Sequence, residues 1–259
     1  MTARHVQVCP VMGTVASAHV IGGAADGDVR AAVESCFDVL HHADRVFSMY
    51  DSASDVRRIA RGELRIADAD PWVAEVEAAC DGAEFETRGL FSAHAGGVFD
   101  PTGYVKGWAT ERAARAHLLP LLNVPGVQAV GLDVGGDLQV FTAEESDWTW
   151  NIGIVDPSDR AQVIATVPVR NGAVATSGGA ERGAHIVDPR TGAAATGIRS
   201  ATVIAESLTR ADVWATAIVA AGADLDWLPR ATGTSGLLVD AAGRIRRWVE
   251  GVTVEVQPA

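Results

Sequence analysis

The strongest constraint on the fold is the way the two periodicities are separated along the chain. From "VQAVGLDVGGDLQVFT" onward, short runs rich in β-branched residues follow one another through "WTWNIGIVD", "AQVIATVPVRNGAVATS", "SATVIAE", "SGLLVD" and "IRRWVEGVTVEV", broken by Gly, Asp and Pro. Helical spacing dominates earlier. In "VRAAVESCFDVLHHADRVF", Val29, Val33, Cys36, Phe37, Leu40 and Phe47 recur on one face, and Asp26 or Asp28 is placed to cap the helix. "DADPWVAEVEAAC" predicts a second helix with Asp70 as N-cap, Pro71 in the first helical position and a stripe of Trp72, Val76 and Ala79 to Cys80. "WATERAARAHLL" predicts a third, and "TRADVWATAIVAAG" one more helix among the strands, stopped by Gly222. Two strands are expected between Val6 and Val20, turning at "MGT". Helices early and strands late predict an α+β fold with a largely antiparallel sheet, and no Pro or Ser tract divides the 259 residues into more than one domain.

Composition narrows the function. Twenty-one basic residues against 33 acidic ones give a net charge of -12, which excludes a duplex-binding surface built on clustered Lys and Arg. A small anionic ligand on so acidic a chain needs local help from backbone amides, a few basic side chains or a metal. No apolar run has transmembrane length and the start carries no charged-then-apolar leader, so no membrane anchor and a cytoplasmic location are expected. Cys9, Cys36 and Cys80 are odd in number and far apart, which predicts small buried hydrophobes rather than a disulfide framework.

Three stretches carry candidate chemistry. In "GGVFDPTGYVKGWATERAA", Asp100, a turn and Lys106 precede a helix; the arrangement is either a plain β-turn or an oxyanion loop completed by the lysine. In "LTRADVWATAIVAAG", Asp212 and Thr216 stand four apart and share a helix face. They are either a helix-start Asp with a self-bonded Thr, or two oxygen ligands for a hard cation such as Mg²⁺. In "AVATSGGAERGAHIVDPRTG", Ser177, Gly178, His185, Asp188 and Arg190 crowd together, suiting either a β-turn or a phosphate-bearing ligand. "DVGGD" reads as a tight strand connection.

Taken in order, "VMGT", "SMYDSASD", "FDPTGYVKGWATERAA", "DVGGD", "WNIGIVDP", "ATSGG", "HIVDPRTG" and "ADVWAT" resemble the ApbE family of FAD:protein FMN transferases, from about Met12 to Gly222. The resemblance implies an enzyme that binds FAD and, with Mg²⁺, moves FMN onto a threonine of an acceptor protein and releases AMP. It implies that Met12 and Tyr50 lie against the ring systems of FAD, and that Asp100, Lys106, Ser177, Gly178 and His185 contact the cofactor. Gly103, through its carbonyl, Asp212 and Thr216 would hold the metal, and Asp100 to Lys106 would form a pyrophosphate and metal loop. His185 sits near the pyrophosphate; it and Asp188 are the candidate bases, with Lys106 offsetting charge. This chain departs from the family pattern at Ala193 to Ala195, where a proline is common, and at Ala215, an acid in some members. Hydrolysis of FAD by water, or an inactive FAD-binding module, are the competing expectations.

Overall fold

The computed structural model describes residues 3–23, 26–178, 186–250 and 252–255. The chain opens with a hairpin, β1 (Arg4–Val11) and β2 (Thr14–Gly22), and continues through four helices: α1 (Asp26–Phe47), α2 (Asp55–Ala60), α3 (Pro71–Thr87) and α4 (Thr102–Ala113). Strands follow as β3 (Val127–Val134), β4 (Asp137–Thr142), β5 (Trp150–Asp156), β6 (Asp159–Val169), β7 (Gly172–Gly178) and β8 (Ile198–Ala205). After helix α5 (Leu208–Ala221) the chain returns to the sheet as β9 (Ser235–Asp240), β10 (Ile245–Val249) and β11 (Val252–Glu255).

Nine strands form one sheet in the order β1-β2-β3-β4-β7-β8-β9-β10-β11, each pair antiparallel, while β5 and β6 form a separate two-stranded sheet. The burial strings explain the layering. β3 is buried at nearly every position, as a strand covered on both faces must be, whereas β5 alternates strictly between buried and exposed. The buried row of β5, Trp150, Ile152 and Ile154, packs with Ile21, Val140, Leu237 and Val239 of the large sheet. Helices cover the opposite face through the main core, in which Leu40, Leu118, Trp214 and Ile218 are fully buried. The order is therefore helices, large sheet, hairpin. Among the described residues no helix is long and apolar enough to cross a membrane.

The helix ends show which local signals governed. Asp70 caps α3 by accepting the Trp72 amide at 2.9 Å, with Pro71 in the first turn, as the sequence predicts. The buried stripe is rotated slightly from the expected one: Val73, Val76 and Cys80 are buried and Trp72 is half-buried. Asp28 lies inside the first turn of α1, which begins at Asp26. The third helix begins earlier than expected, at Thr102, so Gly103 to Lys106 are its first turns and not a loop. Asp100 starts that helix by accepting both the amide and the hydroxyl of Thr102 at 3.1 and 2.7 Å. Asp212 is likewise no helix-start residue, because Ser207 caps α5 by accepting the Arg210 amide. Gly222 ends α5 as expected, and Gly135 and Gly136 turn β3 into β4 with positive φ. Cys36 and Cys80 are buried, but Cys9 is only half-buried and its Sγ contacts His41 Nε2 at 3.1 Å.

Helix α5 is fixed in position by polar groups that would be costly if unpaired. Its Leu208 amide donates to Gln139 Oε1 at 3.0 Å, and its Thr209 amide and hydroxyl donate to Glu111 of α4. Ser207 Oγ donates to the same Glu111 oxygen at 2.6 Å. Gln139 is fully buried on β4 and spends its amide group on the carbonyls of Gly172 and Glu206. Burial alone would raise the Glu111 pKa, but the bonds from Ser207 and Thr209 hold it below the ordinary range.

The two helices approach closely at Gly107. A Cβ there would sit 2.8 Å from Asp212 Cβ and 3.0 Å from the Leu208 carbonyl. Gly107→Ala is therefore expected to destabilise the fold by about 1–3 kcal/mol in urea unfolding. Gly82→Ala in α3, where an added methyl meets nothing within 4 Å, is expected to stabilise it by about 0.5–1 kcal/mol.

Candidate active site

Three cavities meet at one side chain, Lys106. The first, about 330 Å³, is lined by residues of the 90–100 segment, by Asp100 and Gly103 ahead of Lys106, by Ser177 and Gly178, and by Asp212 and Thr216. The second, about 620 Å³, runs between the Gly135 and Gly136 turn and the β5–β6 hairpin. The third, about 600 Å³, is lined by Met12, Asp44, Phe47 and Tyr50, and by Thr102 and Lys106 of α4. Lys106 belongs to the wall of all three.

The lysine is held from behind by an ion pair with Asp137 Oδ2 at the start of β4. Asp137 is 1 % exposed, and its Oδ1 accepts the Thr176 amide of β7 at 2.9 Å. This carboxylate thus joins α4 to two central strands at the point where the cavities converge. Neighbouring Asp133 accepts the Gly136 amide at 2.8 Å, and burial, aided by the charge of Asp137, pushes its carboxyl pKa up. In the sequence "DVGGD" reads as a tight strand connection, which the Gly135 and Gly136 turn bears out. The overlooked signal was the pair of acids flanking the glycines, one of which lies buried beside the lysine.

Asp212 is 2 % exposed, and its Oδ2 accepts the Gly107 amide at 3.1 Å. In a regular α-helix that amide would serve the Gly103 carbonyl four residues back. The Gly107 amide is thus shared with Asp212, and Gly103 and Asp212 line the same cavity. One turn after Asp212, Thr216 Oγ1 lies 3.2 Å from Ser177 Oγ. A carboxylate, a hydroxyl and a backbone carbonyl on one cavity wall are hard oxygen donors, the set that suits Mg²⁺ and leaves most of its shell to water or phosphate. Among the described residues no group of three or more His, Cys, Asp and Glu is placed to hold a metal ion, and the carboxylates on this cavity's wall are Asp100 and Asp212. Ala215, buried in the core, adds none.

The other expected residues fall as follows. Met12 and Tyr50 share the third cavity; Met12 has φ 53° and its amide donates to Asp44 Oδ2 at 3.1 Å, while Tyr50 is 97 % exposed. "SMYDSASD" winds into a compact turn in which Ser54 Oγ donates to the Ser48 carbonyl at 2.6 Å and caps α2, a helix sequence reading missed. Ser177 and Gly178 line the first cavity, but the bareness of Gly178 has a packing cause: a Cβ there would meet the Arg199 carbonyl at 2.3 Å. Asp188 is absent from the cavity wall among the described residues. Its carboxylate receives the Arg190 guanidinium at 2.9 and 3.0 Å, and those bonds hold its pKa below the ordinary range, which makes it a poor proton acceptor. His185 lies outside the described residues.

The layered architecture is that of solved flavin transferases and their kin. The chain aligns with the ApbE protein of Thermotoga maritima at a TM-score of 0.80 and 24 % identity, covering 95 % of this chain and 97 % of that one. It aligns with the flavin transferase ApbE of Vibrio cholerae at 0.72 and 15 % identity, covering 96 and 97 %. The ApbE family matches residues 93–239, more than half of the sequence, and the chain belongs to that family. Among curated relatives, an FAD:protein FMN transferase of Rhodobacter capsulatus is 32 % identical over 147 residues, 53 % of this chain and 26 % of that protein. One from Escherichia coli is 29 % identical over 122 residues, 43 % of this chain and 35 % of that protein. The matched part therefore spans only about a quarter to a third of those relatives' length.

Asp133 provides a test of these electrostatics. A carboxyl whose pKa is raised by folding opposes the folded state once pH exceeds its unfolded value, and that penalty is complete above the folded value. Asp133→Asn, which can still accept the Gly136 amide, is thus expected to raise stability at pH 7. The gain should vanish below the ordinary aspartate range, as followed by thermal melts across pH.

Proposed function

We propose that this protein is an FAD:protein FMN transferase that cleaves the pyrophosphate of FAD, attaches FMN to a threonine of an acceptor protein and releases AMP. The observation that carries the reading is the meeting of three cavities at Lys106, beside a wall bearing Gly103, Asp212 and Thr216. A transfer of this kind brings three groups to one phosphorus: the FMN phosphate, the departing AMP and the incoming hydroxyl. The names of the curated relatives support the same chemistry.

In this reading the acceptor hydroxyl oxygen forms a new bond to the FMN-side phosphorus, the bond to the bridging oxygen breaks, and AMP leaves with that electron pair. Gly103, Asp212 and Thr216 would hold Mg²⁺, which when bound neutralises phosphate charge and improves the leaving group. Lys106 offsets charge growing on the phosphoryl oxygens, and Asp137 fixes its direction, so the ammonium needs little reorganisation as the bond breaks. Met12 and Tyr50 offer an apolar wall to a ring of FAD. Asp100 is already committed to starting α4, so its part is to hold the helix N-terminus against the pyrophosphate. With Asp188 neutralised by Arg190, His185 is the base we assign to the hydroxyl proton.

The test is intact-mass analysis of an acceptor domain incubated with the protein, FAD and Mg²⁺, with AMP measured in the same tube. A mass gain of one FMN, matched by AMP and abolished by chelator, is expected. Asp212→Ala should reduce both products by about a hundredfold or more. His185→Ala should retain FAD binding and slow transfer; an unchanged rate removes it as the base. AMP without adduct would mean that water is the acceptor and that the chain is an FAD pyrophosphatase. Flavin binding with neither product would mark an inactive binding module.

A further inference from the structure

The second cavity differs chemically from the other two. Five of its fourteen lining residues are glycines, at 13, 135, 136, 153 and 178, and among the described residues no aromatic side chain lines it. The first cavity has Phe91, and the third has Phe47 and Tyr50. A heteroaromatic ring gains most from such flat apolar partners and finds them in the first and third cavities. A wall of glycines projects no side chains into the groove and so leaves room for a main chain, although the amides of Gly135 and Gly136 are already spent on the Val15 carbonyl and on Asp133.

The hairpin side of this cavity is a strand with a row to offer. Gly153 to Asp156 of β5 line it, continuing into Pro157. β5 pairs with β6, and among the described residues no strand pairs along its other edge. Of this row, Gly153 and Val155 are exposed, Val155 at 45 %, while Ile152 and Ile154 are buried against the large sheet. Asp156 gives the groove one acidic side chain and Arg160 and Lys106 give it two basic ones, with Lys106 paired from behind to Asp137. At its inner limit the groove shares Lys106, Thr176 and Gly178 with the first cavity.

Resting on the transferase reading, we propose that this glycine-walled groove seats the acceptor polypeptide, an extended segment lying along β5 and delivering its threonine hydroxyl to Lys106. The occupant is a polypeptide because the glycine wall leaves width for a main chain and β5 offers along it an edge that no described strand pairs. It is extended because the accompanying edge is a strand, and it ends at the reaction centre because the groove opens there. Bond making and breaking are those of the transfer already described: the threonine oxygen joins the FMN phosphorus and AMP leaves.

Gly153 offers a clean test, since its φ is ordinary and an added Cβ would meet only Val163 at 3.5 Å. Gly153→Trp, with Val155→Arg as a second variant should the first fail to fold, is compared with the parent chain. The probe is a pool of short peptides with a central threonine and varied flanks. Flavin fluorescence gives FAD affinity, mass spectrometry gives FMN transfer, and hydrogen exchange reports the amides of residues 152–156. The proposal predicts FAD affinity within about twofold of the parent, peptide transfer lowered about tenfold or more through the apparent KM, and slowed exchange of the β5 amides when peptide is added. A tenfold loss of FAD affinity would assign the groove to the adenosine half of FAD and overturn the proposal. Unchanged peptide transfer, or peptide protection confined to another face, would overturn it equally. If the parent chain yields no product but peptide still protects β5, the groove stands as a peptide site and it is the transferase reading that falls.

Discussion

The contact between α4 and α5 at Gly107 and Asp212 sets the geometry of everything around the site. Without a side chain on Gly107 the helices close until the buried Asp212 carboxylate takes its amide. The same approach puts Gly103, one turn earlier on α4, and Thr216, one turn later on α5, onto one cavity wall. Glu111 and Gln139 then tie the start of α5 to α4 and to the sheet, so the helix can neither slide nor rotate without stranding buried polar groups. A buried carboxylate would ordinarily be a liability. Here it is tolerated because the neighbouring helix supplies a donor and because a cation placed before it would complete its shell.

A second polar unit, Lys106 with Asp137, works on the other side of the same helix. Lys106 projects from α4 to where the three cavities join, and Asp137 anchors it to β4 and, through Thr176, to β7. The two units share a helix but not a function. In the proposed reading one would organise oxygen ligands, and the other would aim a positive charge at phosphate in a chain whose net charge is -12.

Much of this could be read from the sequence. The segregation of helical and strand periodicities foretold the antiparallel sheet, and Asp70 with Pro71 and Gly222 marked helix ends correctly, because capping is local chemistry within a few residues. The i, i+4 pairing of Asp212 and Thr216 survived for the same reason. Less legible were features created by distant segments. The hairpin β5–β6 leaves the large sheet because its Trp150, Ile152 and Ile154 row covers a face already defined by other strands. Asp137 becomes a partner of Lys106 across 31 positions, and nothing in "DVGGD" alone announces it. The start of α4 was misplaced because Gly and Pro near Asp100 resemble a loop, whereas Asp100 makes them a helix beginning. Asp188 stands beside a histidine in the sequence, yet its carboxylate is taken up by Arg190, a pairing two residues apart that "DPRTG" does not distinguish from a plain turn.

The wall that carries Met12 belongs to the outermost hairpin of the sheet. Among the described residues β1 has a neighbouring strand on one side only, exposes Val6 and Val8, and meets the rest of the molecule chiefly through β2 and α1. Edge hairpins of this kind open at lower free energy than the central strands, in a local fluctuation that leaves the main core intact. The third cavity is therefore built partly on an edge hairpin of the sheet, while Lys106, Asp212 and Thr216 stand on the interior helices α4 and α5. A fluctuation confined to the sheet's margin would reshape that cavity and leave the contact of α4 and α5 at Gly107 and Asp212 in place.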